Sequence, residues 1–331
     1  MALSPSTPIV VKDFVSELGT FIQIYSDGTV KRPLQSPFVA PMLDDPNTNT
    51  GLSSKDIVIS HNPPISARLY LPRITNQPHH KIPILVYFHG GAFIIESAFS
   101  QLYHNYFKAF VPQANTIVVS VEYRLAPEHP LPTCYHDCWN ALQWVSSHYS
   151  TKNNPPNNAD PWLVHHGDFN RVFIGGDSAG ANIAHNIALR AGSQPLPCDV
   201  KILGAILSHP SFFSSHSIGS EPVEEDQHGE LLNLVYPSAP GGYDNPVFNP
   251  LASVAPSLAG LGCSKMIVCV AGKDGFKDKG ILYYESVIKS GWQGKIQLHH
   301  DIDEGHVYYL FNPGSENAKK FHKRLVSFIQ E

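Results

Sequence analysis

The chain has 331 residues, long enough for one large domain or two ordinary ones, and its 42% hydrophobic content is typical of a globular protein. Only 15% of the residues are charged and the net charge is −5, which argues against a nucleic-acid partner and against a disordered chain. The longest apolar runs, such as residues 84–88, are too short to span a bilayer, so we expect no membrane partner either.

The cysteines and the N-terminus indicate a cellular compartment. The chain has five Cys, an odd number, and this favours reduced thiols over a disulfide framework. A secretory leader has a basic segment followed by a long apolar one, and the first residues do not show this pattern. We therefore expect a cytoplasmic protein.

The first third of the chain has the pattern of antiparallel strands. Residues 21–25 and 29–32 flank Ser26-Asp27-Gly28, a typical hairpin signal. Two alternating runs follow at residues 56–60 and 67–71. Residues 1–50 are predicted to form an N-terminal cap.

From residue 82 onwards the pattern changes to continuous apolar runs that alternate with helical ones. The predicted buried strands are residues 82–88, 116–121, 172–174, 202–207, 266–270 and 295–298. The predicted helices are residues 100–110, 135–148, 179–190, 279–290 and 318–330. This alternation predicts an α/β fold, with a mostly parallel central sheet covered by helices on both faces, in a single domain over residues 1–331.

Residues 208–250 interrupt this alternation. They are rich in Ser, Pro, Gly and acidic residues and contain an apolar patch at residues 231–236. We call this segment the insertion and predict that it lies over the carboxyl edge of the sheet, where open α/β sheets bind ligands.

Gly176-Asp177-Ser178-Ala179-Gly180 fits the pattern G-x-S-x-G. It stands between a predicted strand and a predicted helix, which is the context of a nucleophile elbow. Small residues on both sides allow a sharp turn that projects the Ser178 hydroxyl. Ser178 is therefore the candidate nucleophile.

A second motif, His89-Gly90-Gly91-Ala92, follows the predicted strand 82–88. Its position and composition are typical of an oxyanion loop, in which backbone N–H groups stabilise a developing negative charge. The predicted donors are two of the N–H groups of Gly90, Gly91 and Ala92, together with the N–H of Ala179.

A general base and the group that orients it are expected after the last two strands. Asp274 follows the strand 266–270, and His306 follows the strand 295–298. His306 would take the proton of Ser178, and Asp274 would hold the imidazole in the required tautomer. Asp278 is an alternative orienting residue, and Asp274 is preferred because it lies closer to the end of its strand.

The sequence contains no motif for a metal or a nucleotide cofactor. There is no H-E-x-x-H, and neither a P-loop nor a G-x-G-x-x-G occurs. Cys134, His136 and Cys138 are predicted to lie on a helix without a second ligand pair. We therefore expect no cofactor and no metal, and a small-molecule substrate.

Together with the stretch Tyr123-Arg124-Leu125-Ala126-Pro127-Glu128-His129-Pro130, the two motifs resemble the hormone-sensitive-lipase branch of the α/β-hydrolases. More narrowly, the chain is similar to plant carboxylesterases, including the 2-hydroxyisoflavanone dehydratases. The resemblance implies an α/β-hydrolase fold with an N-terminal cap, a triad of Ser178, Asp274 and His306, and no cofactor.

Two positions depart from the family pattern. Ala92 stands where most esterases of this branch have Gly. The dehydratases that the chain resembles also have Ala at this position. The dehydratases that the chain resembles typically carry Thr at the nucleophile position. This chain has Ser178 there.

Three hypotheses follow from this resemblance. The first is a carboxylesterase that forms an acyl-enzyme on Ser178. The second is a dehydratase or cyclase of plant specialised metabolism, of flavonoid or alkaloid type, with His306 as base. The third is a non-catalytic hormone receptor like the gibberellin receptors, and the presence of His306 speaks against it.

Overall fold

The computed structural model describes residues 14–43, 50–74, 81–149, 159–219, 221 and 227–331. The chain divides into two compact units, Met1–Gln35 and Ser36–Glu331. Parts of the predicted N-terminal cap (residues 1–13 and 44–49) and of the insertion (residues 220 and 222–226) lie outside the described residues.

The first unit contains a three-stranded antiparallel sheet. Its strands are Phe14–Leu18 (β1), Ile22–Tyr25 (β2) and Val30–Lys31 (β3). β2 and β3 pair antiparallel, so the hairpin predicted around Asp27-Gly28 is confirmed. Gly28 has a φ of +80°, a value that glycine adopts readily.

The second unit is built on an eight-stranded sheet. Its strands in chain order are Leu52–His61 (β4), Pro64–Pro72 (β5), Ile82–Phe88 (β6), Ile117–Glu122 (β7), Gly167–Asp177 (β8), Ile202–Ser208 (β9), Cys263–Ala271 (β10) and Lys295–Asp301 (β11). Their order across the sheet is β11-β10-β9-β8-β6-β7-β5-β4. The pairs β4–β5 and β5–β7 are antiparallel, and the other neighbours are parallel. This arrangement confirms both the antiparallel start and the parallel remainder predicted from the sequence.

Helices connect most of the strands of this sheet. They are Gln101–Ala114 (α1), Thr133–Ser147 (α2), Pro161–His166 (α3), Ala179–Ser193 (α4), Gln227–Val235 (α5), Lys277–Lys289 (α6), Tyr308–Phe311 (α7) and Glu316–Gln330 (α8). The five predicted helices correspond to α1, α2, α4, α6 and α8. The short helices α3 and α7 give too few turns for a periodic pattern, and the apolar patch of the insertion overlaps α5. Among the described residues, no helix has both the length and the apolar character needed to cross a bilayer.

The register of the parallel strands brings their carboxyl ends to one edge. Phe88 at the end of β6 pairs with Gly176, Asp177 pairs with Ser208 at the end of β9, and Ala271 pairs with Asp301. All seven residues of β6 are buried, as expected for a central parallel strand. The loops that carry the predicted motifs therefore meet at this edge.

Candidate active site

Ser178 occupies a strained turn between β8 and α4. Its φ of 52° and ψ of −118° lie outside the regions that non-glycine residues ordinarily adopt. The surrounding glycines allow this conformation, because a Cβ on Gly176 would overlap the backbone of Gly180, and one on Gly180 would overlap the carbonyl of Phe88. The turn leaves the Ser178 side chain half-buried at the head of α4.

The predicted serine, histidine and aspartate come together at this turn. Nε2 of His306 lies 2.8 Å from Oγ of Ser178, and Nδ1 of His306 lies 2.7 Å from Oδ2 of Asp274. Asp278 instead lies in the first turn of α6, with its Oδ1 3.5 Å from Nζ of Lys277. The structure therefore brings Asp274 to the Nδ1 side of the imidazole.

Asp274 is held as a carboxylate. Its side chain is buried, which opposes ionisation. Hydrogen bonds from His306 and from the N–H of Phe276, the latter 3.0 Å long, outweigh burial and lower the pKa of Asp274 below its ordinary value. A buried anion at this point can stabilise the imidazolium that forms when His306 takes a proton.

The N–H of Gly90 and the ring of His89, in the predicted oxyanion loop, both contact buried groups of the protein. The N–H of Gly90 donates to the hydroxyl oxygen of Tyr103 at 2.6 Å and to Oδ1 of Asp177 at 3.2 Å. The buried ring of His89 stacks on Tyr123 at 4.2 Å between centroids, and burial lowers its pKa to about 4. These contacts fix the start of the loop after β6.

Gly91, Ala92 and Ala179 present the remaining N–H groups of the predicted oxyanion hole. None of these three groups donates to another of the described residues. Gly91 and Ala92 have φ values of 102° and 53°, and a Cβ on Gly91 would overlap the carbonyl of Ile95. The loop therefore turns sharply and leaves two N–H groups available to an oxyanion, and the first residue of α4 adds a third.

A chain of aromatic rings borders the site. The ring of His306 lies 5.4 Å from that of Phe276, which lies 5.3 Å from Phe213. Phe213 lies 6.0 Å from Phe248, and Phe248 lies 6.3 Å from Phe93, directly after the oxyanion loop. The rings thus form an apolar wall that runs from His306 to the residue after the oxyanion loop. The insertion supplies two of these rings, Phe213 and Phe248.

The insertion is tied to the helix that carries the nucleophile. Nδ2 of Asn182, on the first turns of α4, donates to the carbonyls of Ser211 at 3.2 Å and Val247 at 2.9 Å. The N–H of Leu131 donates to the carbonyl of Val235 at 2.8 Å. Because Asn182 is fully buried, its two hydrogen bonds hold both ends of the insertion against α4.

Comparison with known proteins identifies the family. Residues 85–310, more than half of the chain, match the model of a protein family that has the α/β-hydrolase fold. The chain belongs to the α/β-hydrolase family. This hydrolase is 54% identical to a 2-hydroxyisoflavanone dehydratase of Glycyrrhiza echinata, over 99% of this chain and 100% of that protein.

Further relatives of this α/β hydrolase are esterases. It is 42% identical to probable carboxylesterase 1 of Arabidopsis thaliana, over 93% of this chain and 95% of that protein. The solved structure of an esterase from Pyrobaculum calidifontis aligns with this chain with a TM-score of 0.66 and 25% sequence identity. The alignment covers 83% of this chain and 84% of the esterase chain. The chain is therefore an esterase-type α/β hydrolase, and thus an enzyme.

Asp177 belongs to the site of this hydrolase although no motif pointed to it. Tyr87 and Tyr103 each donate to its carboxylate at 2.8 Å, and the N–H of Gly90 donates as well. Burial raises the pKa of Asp177 to about 6, and the hydrogen bonds from the two tyrosines offset part of that effect. The G-x-S-x-G pattern leaves this position open, so only the fold reveals that Asp177 links the nucleophile turn to the oxyanion loop.

His209 is a second residue of the hydrolase site that the sequence analysis did not single out. It follows β9 directly, and its side chain contacts both the Asp274 carboxylate and the backbone next to His306. The signal was available, since β9 is predicted and its carboxyl end lies at the same edge as Ser178. His209, Asp274 and His306 could present three ligand atoms to a metal, but hydrogen bonds within the site engage both nitrogens of His306 and Nδ1 of His209.

Proposed function

We propose that this hydrolase is a carboxylesterase that cleaves small carboxylic esters through an acyl-enzyme on Ser178. The observation that carries the proposal is the continuous hydrogen-bonded relay from Oγ of Ser178 through both nitrogens of His306 to Oδ2 of Asp274. A serine activated by an oriented imidazole is suited to nucleophilic attack on a carbonyl carbon.

The proposed reaction has two halves. Ser178 Oγ attacks the ester carbonyl while its proton passes to Nε2 of His306. The tetrahedral intermediate then collapses, the ester C–O bond breaks, and His306 returns the proton to the leaving alcohol. Water then attacks the acyl-enzyme with His306 again as base, the bond to Ser178 Oγ breaks, His306 returns the proton to Oγ, and the carboxylic acid is released.

The N–H groups of Gly91, Ala92 and Ala179 are the proposed oxyanion donors. They lie on the oxyanion loop and at the start of α4, and they are free of acceptors among the described residues. Gly90 and His89 would contribute indirectly, by fixing the loop that presents the donors. Donors held in place before the reaction need no reorganisation as charge develops on the carbonyl oxygen.

The aromatic rings of the site indicate the kind of substrate, and the cysteines indicate the cellular compartment. The wall formed by Phe93, Phe213, Phe248 and Phe276 favours esters with an apolar or aromatic portion. The proposed mechanism requires no cofactor. All five cysteines are free thiols, which supports the proposal of a cytoplasmic enzyme.

A second candidate is dehydration or cyclisation, favoured by the 54% identity to a 2-hydroxyisoflavanone dehydratase over nearly the full length. Here His306 would remove a proton next to a carbonyl group. The oxyanion donors would stabilise the resulting enolate, and hydroxide would leave as water with the proton from His306. Ser178 would then serve as a hydrogen-bond partner. The receptor hypothesis is not retained, because His306 is present and engaged with Ser178.

These two functions are separated by offering the enzyme p-nitrophenyl acetate and 2-hydroxyisoflavanone in parallel. Acyl transfer predicts an initial burst of p-nitrophenol of about one equivalent per protein, because acylation is commonly faster than deacylation with activated esters. It also predicts no dehydration above the uncatalysed rate. Dehydration with a higher kcat/KM than ester hydrolysis would overturn the proposal in favour of the second candidate.

A further inference from the structure

His209 lies in the interior of the second unit, directly after β9. Its side chain is 1% exposed, and its ring packs edge-on against Tyr309 and Phe321 at 5.6 Å and 6.1 Å between centroids. The residue has a φ of +49°, unusual for a side chain of this size, and its N–H donates to the carbonyl of Cys269 on β10 at 2.8 Å. The fold therefore holds this ring in one place.

The ring of His209 accepts a hydrogen bond from the residue next to the catalytic base. Nδ1 of His209 lies 2.9 Å from the N–H of Val307. Val307 has a φ of +44°, a strained value for a β-branched residue. An acceptor placed here holds the backbone in the conformation that directs His306 toward both Ser178 and Asp274.

The same nitrogen faces the oxygen that orients His306. Nδ1 of His209 lies 3.6 Å from Oδ2 of Asp274, and that oxygen lies 2.7 Å from Nδ1 of His306. A nitrogen that accepts from Val307 carries no proton, so a neutral His209 leaves Oδ2 to His306. A protonated His209 would lose the bond to Val307 and compete for this oxygen.

The environment keeps the His209 ring neutral. Burial lowers its pKa to about 3, and the charge of His306 acts in the same direction. Asp274 and Asp301 act in the opposite direction, and His299 again lowers the pKa. The lowered pKa agrees with the unprotonated Nδ1 that accepts from the N–H of Val307.

We propose that His209 is a positioning residue for His306 and Asp274. As a neutral acceptor, His209 fixes the backbone at His306–Val307 and leaves Asp274 Oδ2 to the hydrogen bond with His306. The proposal rests on the proposed role of the Ser178–His306–Asp274 relay. His209 itself does not touch the substrate and acts through His306.

Two substitutions at position 209 separate this role from simple packing. His209→Leu fills the space but removes the acceptor, and it is expected to lower kcat for p-nitrophenyl acetate about 10- to 100-fold with KM changed less than about twofold. His209→Asn keeps an acceptor oxygen near the position of Nδ1, and it is expected to recover kcat to within roughly threefold of the wild type.

His322→Leu is the matched control. His322 is also buried, it packs against the same Tyr309 and Phe321 rings, and neither Val307 nor Asp274 is among its contacts in the described residues. We expect a comparable loss of Tm with kcat within about twofold of the wild type. An equal loss of kcat in His322→Leu and His209→Leu, or no recovery in His209→Asn, would overturn the proposal.

¹⁵N NMR of histidine-labelled wild-type protein tests the proposal without any substrate. We expect His209 to be neutral, with its proton on Nε2, between pH 5 and pH 9 as a working range around neutrality. A proton on Nδ1, or titration within this range, would contradict the proposal. If the wild type hydrolyses no ester, the proposed function fails, and this NMR result still decides whether His209 is the acceptor described.

Discussion

Ser178→Ala is expected to lower kcat/KM for p-nitrophenyl acetate by at least about 10⁴-fold, because the members of such a relay act as a unit. Oγ of Ser178 is the atom that would form the acyl-enzyme, and Nε2 of His306 lies 2.8 Å from it. Without the hydroxyl, the N–H groups of the oxyanion loop can still bind the carbonyl oxygen, but no covalent intermediate can form. Steady-state kinetics over a range of ester concentrations measures the loss.

Ser211→Ala is the matched control for this substitution. Ser211 is 4% exposed and lies beside the nucleophile turn, where its N–H donates to the carbonyl of Ser178 at 3.2 Å. Its hydroxyl has no partner among the described residues, so its removal is expected to leave kcat/KM within about threefold of the wild type. A Ser178→Ala variant that kept a tenth or more of the wild-type activity would contradict the covalent role of Ser178.

Asp274→Asn is expected to lower kcat by about 10³- to 10⁴-fold with the fold intact. The amide of Asn can donate to Nδ1 of His306, and this would move the imidazole proton to Nε2, which faces Ser178. The base would then present a proton to the hydroxyl that it must deprotonate. Kinetics at several pH values, together with Tm, distinguishes this loss from unfolding.

Asp278→Asn provides the comparison for Asp274→Asn. Asp278 lies four residues further along the chain, in the first turn of α6 and close to Lys277. Since Asp274 is the carboxylate 2.7 Å from His306, we expect Asp278→Asn to change kcat less than about threefold. If Asp278→Asn were the more damaging of the two, Asp274 would not be the orienting residue.

The fold and the convergence of Ser178, Asp274 and His306 at one edge of the sheet could be predicted, because each depends on a local pattern. Continuous apolar runs marked the parallel strands, and the carboxyl ends of parallel strands must share an edge. Ser178, Asp274 and His306 each follow such a run, so their meeting required no knowledge of side-chain positions. Asp274 lies closer than Asp278 to the end of β10, which is why the sequence favours it, and in the structure it lies beside His306.

The supporting contacts could not be predicted, because they depend on side chains far apart in sequence. Asp177 receives hydrogen bonds from Tyr87 and Tyr103, and nothing in the spacing of these residues indicates that they converge. His209 is one of 18 histidines, and its neutral state follows from burial that the sequence does not display. The prediction that residues 1–50 cap the site stays a prediction.

Rapid acid quenching followed by mass spectrometry can detect the proposed acyl ester on Ser178 itself. With p-nitrophenyl acetate, the intact protein quenched during the burst is expected to gain the mass of one acetyl group, and peptide mapping is expected to place that group on Ser178. The adduct should be absent from Ser178→Ala and still form in Ser211→Ala. Turnover of the ester by the wild type without any acyl group on Ser178 would contradict the account.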